Sequence, residues 1–133
     1  MWRLVRRLGF RLGIAACLAG APLAAGAVTP DDFKIVTADD VVDVCSVAQD
    51  DPYYTAAMNF CQGYAVATWD VYQALTARPG SEQFICAPDP APARMKVISQ
   101  FVEWMRDHPN YGAEHPSNAI FKFLVEKWPC KAS

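Results

Sequence analysis

The sequence predicts a small all-α bundle of four helices stapled by two disulfides, and three observations carry that prediction. Apolar residues recur at helical spacing in four separate stretches, and no segment alternates with period two for long enough to be a confident strand. Of the five cysteines, four remain once the first 27 residues are set aside. An even cysteine count in a short exported chain reads as a disulfide framework, because oxidising compartments keep such bonds and small domains need them.

Export is read from the N-terminus. Arg3, Arg6, Arg7 and Arg11 precede an apolar stretch from Leu12 to Leu23, and Ala25 and Ala27 meet the small-x-small rule for cleavage after Ala27. The stretch is shorter than the roughly 20 residues that a spanning helix requires and is broken by Gly13, Gly20 and Pro22. Two other readings are weaker. Ile14-Ala15-Ala16-Cys17 resembles a lipoprotein cleavage box, but Arg11 lies only six positions before Cys17; Arg6-Arg7 faintly resembles a twin-arginine signal. Residues 1–27 are therefore expected to be a signal peptide and residues 28–133 a single domain. Removing four arginines from 12 basic residues leaves eight against 14 acidic ones, a net charge of about −6. Such a surface disfavours nucleic acid and anionic membrane, and suits a basic partner or plain solubility.

Residues 28–36 show no sustained period and are expected to form a loose lead-in. Thr37 or Asp39 can cap a short first helix through Val41, Val42, Val44 and Cys45. Asp51-Pro52 marks the start of a second helix reaching Thr76, since a carboxylate can accept a free first-turn amide and proline fills a position whose amide would be unpaired. Apolar residues surround this helix almost completely: Tyr53, Ala57, Phe60, Tyr64, Ala67, Val71 and Leu75 along one line, Tyr54, Met58, Cys61, Ala65, Trp69 and Tyr72 along another. It must be central to its own domain, covered by a second subunit, or both. Gly63 inside it costs about 1 kcal/mol relative to alanine, which implies a neighbouring backbone passing close beside Cys61.

Residues 77–91, with Pro79, Gly80, Pro88 and Pro90, form a loop. Pro92 is expected to open a third helix with Met95, Ile98, Phe101, Val102 and Met105 inward, stopped by His108-Pro109. Pro116 starts a fourth, whose inner face is Ile120, Phe121, Leu124, Val125 and Trp128. Antiparallel packing of the last two helices brings Cys86 and Cys130 to one end of the bundle, so Cys86 is paired with Cys130 and Cys45 with Cys61. Sequence alone leaves three pairings open.

Chemistry is sparse. His108 and His115, with Asp107 and Glu114, could in principle hold zinc from a loop, but both read more simply as helix boundaries, and no metal or other cofactor is expected. The cysteines are better used as bridges than as nucleophiles, no serine lies in a nucleophile elbow, and the paired aspartates sit where capping and solvation explain them. The chain is not expected to be an enzyme.

Cys45, then Cys61-Gln62-Gly63-Tyr64 with Asp70, then Phe84 and Cys86-Ala87-Pro88, then His108-Pro109, Pro116 and the closing Pro129-Cys130 resemble, in that order and spacing, the Rap/Tai family of immunity proteins. The resemblance runs from about Val41 to Cys130. It implies a small α-helical periplasmic protein of Gram-negative bacteria, commonly homodimeric, that binds and blocks a peptidoglycan amidase effector delivered by type VI secretion. It marks Gly63, Tyr64, Asp70 and Pro129 as structural motif positions. Ala67, Val71 and Phe123 depart from the family's usual residues, near a possible dimer face.

A rigid scaffold presenting a loop is the physical counterpart of such blocking, because a pre-organised loop loses less entropy on binding. Asp107 to His115 is the candidate, with Asn110, Tyr111 and Gly112 at its centre as an aromatic anchor beside a flexible neighbour. The alternative is that Tyr111 packs back on the bundle. Two other functions are open: an acid-activated periplasmic stress chaperone, which would loosen and expose apolar surface at low pH, and an envelope accessory protein without a toxin partner.

Overall fold

The computed structural model describes residues 27–131, and all but the last residue of the signal read over residues 1–27 lies outside them. Four helices make up the domain: α1 Ala38–Cys45, α2 Tyr54–Thr76, α3 Arg94–Asp107 and α4 Pro116–Lys127, with short 3-10 turns at Pro30–Phe33 and Pro109–Tyr111. Among the described residues the nearest thing to a strand is an isolated antiparallel bridge between Ile85 and Pro129. Both disulfides, Cys45–Cys61 and Cys86–Cys130, join the pairs that helix layout favoured.

The lead-in is ordered rather than loose. Thr29 and Asp32 form a reciprocal cap around the Pro30–Phe33 turn, Phe33 meets Phe60 edge to face at 5.6 Å, and Val28 is buried at 8% exposure. Helical periodicity could not reveal a segment held by one capping box and two apolar anchors.

α1 begins where its signals place it. Thr37 accepts from the Asp40 amide at 3.4 Å, while the Asp40 carboxylate accepts from the amides of Thr37 at 2.7 Å and Val36 at 2.9 Å. This capping box satisfies donors that the first helical turn cannot satisfy itself. Those hydrogen bonds hold the Asp40 carboxyl below its ordinary value. α2 starts two residues later than the Asp51-Pro52 signal suggests. Asp51 instead closes a turn, accepting from the Tyr53 amide at 2.7 Å through Oδ1, and Tyr53 occupies the cap.

Two apolar clusters make the core. One gathers Ala38, Val41, Tyr72, Ile85, Phe101, Met105, Ala119, Phe123 and Leu124, where α1, α3, α4 and the C-terminal half of α2 meet. The other sets Val44, Ala57, Cys61 and Ile98 around the Cys45–Cys61 bridge. α4 is turned relative to the inward face expected from its sequence. Ala119 and Phe123 lie fully in the core with Leu124, whereas Ile120, Phe121, Val125 and Trp128 are half-buried. Phe123, which stood out as a departure near a possible dimer face, is 4% exposed and meets Phe101 at 5.7 Å. Burying such a ring is worth about 2 to 3 kcal/mol, more than any surface contact it could make, which decides the helix rotation.

Gly63 corrects another expectation. A Cβ placed there meets nothing within 4 Å, so among the described residues no neighbouring backbone passes close to it. Cys61 faces inward, while Gly63, two positions on, has turned to the exposed side of α2. Val71 and Leu75 share that outer surface at 57% and 50% exposure. The helix ends in a Pro79-Gly80 turn whose Gly80 has φ 82°, a left-handed geometry that a side chain would strain.

Candidate binding surface

The loop joining α3 to α4 is built from both ends and from α1. At its start, His108 caps α3, and its Nδ1 lies 2.8 Å from the Trp104 carbonyl. At its end, His115 caps α4, accepting the Ser117 amide on Nδ1 at 3.4 Å. Both histidines are thus helix boundaries. Among the described residues no group of three or more His, Cys, Asp or Glu side chains is placed to hold a metal ion.

Between those caps the backbone is clamped by the N-terminus of α1. The Ala38 amide donates to the Glu114 carbonyl at 2.8 Å and the Asp39 amide to the Gly112 carbonyl at 3.0 Å. First-turn amides of a helix have no partner of their own, so the loop supplies what α1 lacks and is immobilised in return. Gly112 is buried, and a Cβ there would fall on the Asp39 carboxylate. It leaves room for the Asp39 side chain and, hydrogen-bonded to the Asp39 amide, is not a flexible neighbour for Tyr111.

Tyr111 packs back on the bundle. Its ring lies nearly parallel to Trp104, at 5.3 Å and 8°, and Lys122 Nζ sits 4.0 Å above its centroid on α4. Trp104 in turn stacks on His108 at 4.1 Å and donates from Nε1 to Glu126 at 3.0 Å. Lys122 pairs with Glu114 at 2.8 Å. Aromatic stacking and a cation over the ring each add about 0.5 to 1.5 kcal/mol at such sites. The cluster is a half-exposed plate of aromatic rings with its charges already paired. Asn110 remains exposed at the turn's apex, and the exposed Asp39 and Asp107 give the rim its acidic character.

Carboxylates concentrate on α1 and the lead-in. Asp43 is raised above its ordinary value by partial desolvation first and then by the like charges of Asp39, Asp40 and Asp32. Asp32 is lowered by the hydrogen bonds it accepts from Thr29.

At the other end of the α3–α4 pair the molecule is open. An apolar groove of about 420 Å³ runs between α2 on one wall and α3 with α4 on the other; Tyr64, Trp69, Val97, Phe101, Ile120 and Trp128 line it. Cys61, Tyr64 and Asp70 come together along this groove, whereas Asn110, Tyr111 and Gly112 lie at the opposite end. Pro129 pairs with Ile85, flanked by hydrogen bonds from the Cys86 amide to the Trp128 carbonyl at 2.8 Å and the Cys130 amide to the Phe84 carbonyl at 3.4 Å.

Tyr72 was legible in the sequence only as one more apolar position. It is 4% exposed, and its hydroxyl accepts the amides of Ile85 at 2.9 Å and Phe84 at 3.2 Å while donating to the Ile85 carbonyl at 3.2 Å. That single phenol fastens the extended segment before Cys86 onto α2. A buried tyrosine requires a partner for its hydroxyl, and the long polar loop after α2 was the one available signal.

A family model described as Rap1a immunity proteins matches residues 37–130, from the cap of α1 to the last cysteine. No curated protein and no solved structure matches the chain.

Proposed function

The chain belongs to the Rap1a immunity protein family, and from that membership we propose that it is a periplasmic protein that binds a peptidoglycan amidase effector delivered by type VI secretion and blocks its active site. The family match carries this reading, since it spans all four helices and both disulfides. The export signal read in the sequence over residues 1–27 and the two cysteine pairs support the compartment. Blocking by stoichiometric binding needs a surface that loses little freedom on association. The loop around Asn110 and Tyr111 meets that requirement, being held by two α1 amides and by the Trp104 stack. Its acidic rim favours encounter with a basic cleft mouth.

A homodimer is part of the same proposal. The exposed outer face of α2, with Val71 and Leu75, offers the apolar surface a second copy would cover. The stress-chaperone alternative calls for a fold that loosens in acid, and the disulfides and the Tyr72 network tie together the segments that would have to part.

The decisive experiment adds the purified protein to peptidoglycan amidases of the effector class and follows amide hydrolysis. Inhibition should reach completion at one equivalent. Asn110→Trp, a bulky change at an exposed apex, should weaken inhibition at least about tenfold, or roughly 1.4 kcal/mol, with an unchanged melting temperature. Undiminished amidase activity at excess protein would refute the proposed role.

A further inference from the structure

The described chain opens on an unusual contact. Val28, the residue directly after the cleavage point read at Ala27, is buried, and its backbone nitrogen donates to Asp51 Oδ2 at 3.0 Å across 23 residues of sequence. Asp51 uses its other oxygen on the Tyr53 amide at 2.7 Å, and its own amide and carbonyl bond to Ala48 and Tyr54. It stands at the turn that leads into α2. The two ion pairs among the described residues are Lys34–Asp31 and Lys122–Glu114, so Asp51 meets there a neutral donor and no cation.

We infer that Asp51 is the receptor for the α-ammonium group that signal cleavage creates on Val28, so that processing converts a neutral hydrogen bond into a buried-edge ion pair locking the N-terminus onto the start of α2. This rests on the export reading. Hydrolysis of the Ala27–Val28 amide consumes one water, leaving a carboxylate on Ala27 and, after protonation at neutral pH, an ammonium on Val28. The nitrogen keeps its place because the Val28 side chain is buried and the Thr29–Asp32 capping box fixes the backbone that follows. One ammonium proton takes over the bond to Oδ2; departure of the exposed Ala27 opens the other two to water. A charge-assisted bond of this kind is about twice as strong as its neutral counterpart. The leader thereby leaves behind a domain more stable than the one it was attached to, and the increment arises only after export.

The test uses the full chain exported and purified from the periplasm, beside a version with one alanine inserted between Ala27 and Val28. Cleavage of the second leaves an extra residue, which restores a neutral amide at Val28 and moves the charge outward; the fold accepts this, since Ala27 is peptide-linked and exposed there already. Intact mass should place Val28 first in the parent protein and the extra alanine first in the variant, and the inserted alanine should then lower the melting temperature by about 5 °C. In an Asp51→Asn background, which keeps an acceptor oxygen, the insertion should shift it by less than about 1 °C; if that variant fails to fold, the insertion in the parent decides alone. A parent beginning at Val28 whose melting point ignores the inserted alanine would overturn the ion pair while leaving the export reading intact. A parent beginning at any other residue would overturn cleavage after Ala27 and the ion pair with it.

Discussion

The two ends of the α3–α4 pair are closed by different means. At the loop end, residues 108–115 are held by hydrogen bonds to α1 and by the stack of Trp104, His108 and Tyr111 beneath Lys122. At the far end, Cys86–Cys130 and the bridge of Ile85 with Pro129 fasten two extended segments, and beside them the apolar groove stays open. Non-covalent closure needs complementary side chains on every neighbouring element, so it produces a filled, shaped surface. A covalent staple holds without filling, and can leave a cleft next to it. The difference teaches that holding the fold and filling its surface are separable here: the stapled end secures the fold, and the filled end presents an ordered surface.

Removing the staple should have the largest effect. Cys86→Ser with Cys130→Ser frees a loop of 44 residues, against 16 for Cys45–Cys61; chain-entropy arguments then assign a loss of about 4 kcal/mol to the first and about 3 kcal/mol to the second. Denaturant unfolding of both double variants checks the ranking. A smaller loss for the Cys86–Cys130 pair would mean that the Tyr72 hydrogen bonds and the Ile85 bridge already hold that end.

Tyr111→Ala comes next. The ring is half-buried between Trp104 and Lys122, so its removal should cost about 2 kcal/mol of stability, in contrast to a projecting anchor, whose loss leaves stability unchanged. Thermal unfolding measured alongside amidase inhibition separates the two roles, and an unaltered melting temperature would show that the loop end is not closed by this stack.

The smallest effect concerns the acidic face of α1 that clamps the loop. Asp43 has a raised folded value, so its ionised form destabilises the native state at neutral pH and the penalty disappears as pH falls through that value toward 3.8. Asp43→Asn should therefore raise the melting temperature by a few degrees at pH 7, with the gain shrinking as pH falls toward 3.8 and gone below it; the side chain is exposed, and solvent screening keeps the effect small. Asp40 has the opposite sign, its stabilisation being present above its ordinary 3.8 and lost as pH falls through its lowered value. Melting curves from pH 3 to pH 7 distinguish the two, and a gain from Asp43→Asn that did not vary with pH would remove like-charge repulsion as its cause.

Much of the fold was readable in the chain because its signals are local. The Thr37 cap, Pro116 after His115, and the spacing of Ile98, Phe101, Val102 and Met105 each act within one or two turns, and each appears where the sequence puts it; Met95, expected inward with them, lies in the first turn of α3 and is 40% exposed. The candidate surface was legible only in outline. Asn110, Tyr111 and Gly112 do lie on the α3–α4 connection, but the packing of Tyr111 depends on Trp104 and Lys122, and that of Gly112 on Asp39, residues brought to them by three different helices.

By itself the sequence determined an all-α domain, its helix limits to within about two residues, and a set of cysteines whose layout favoured one pairing. Those depend on capping, proline and apolar period, all short-range. Tertiary structure alone decided that Phe123 turns into the core, that Gly63 faces open space, that Tyr72 holds the segment before Cys86, and that Val28 reaches Asp51. Each of those outcomes is a competition among groups far apart in the chain for the same limited interior and the same few unpaired donors, and local spacing carries no record of who wins it.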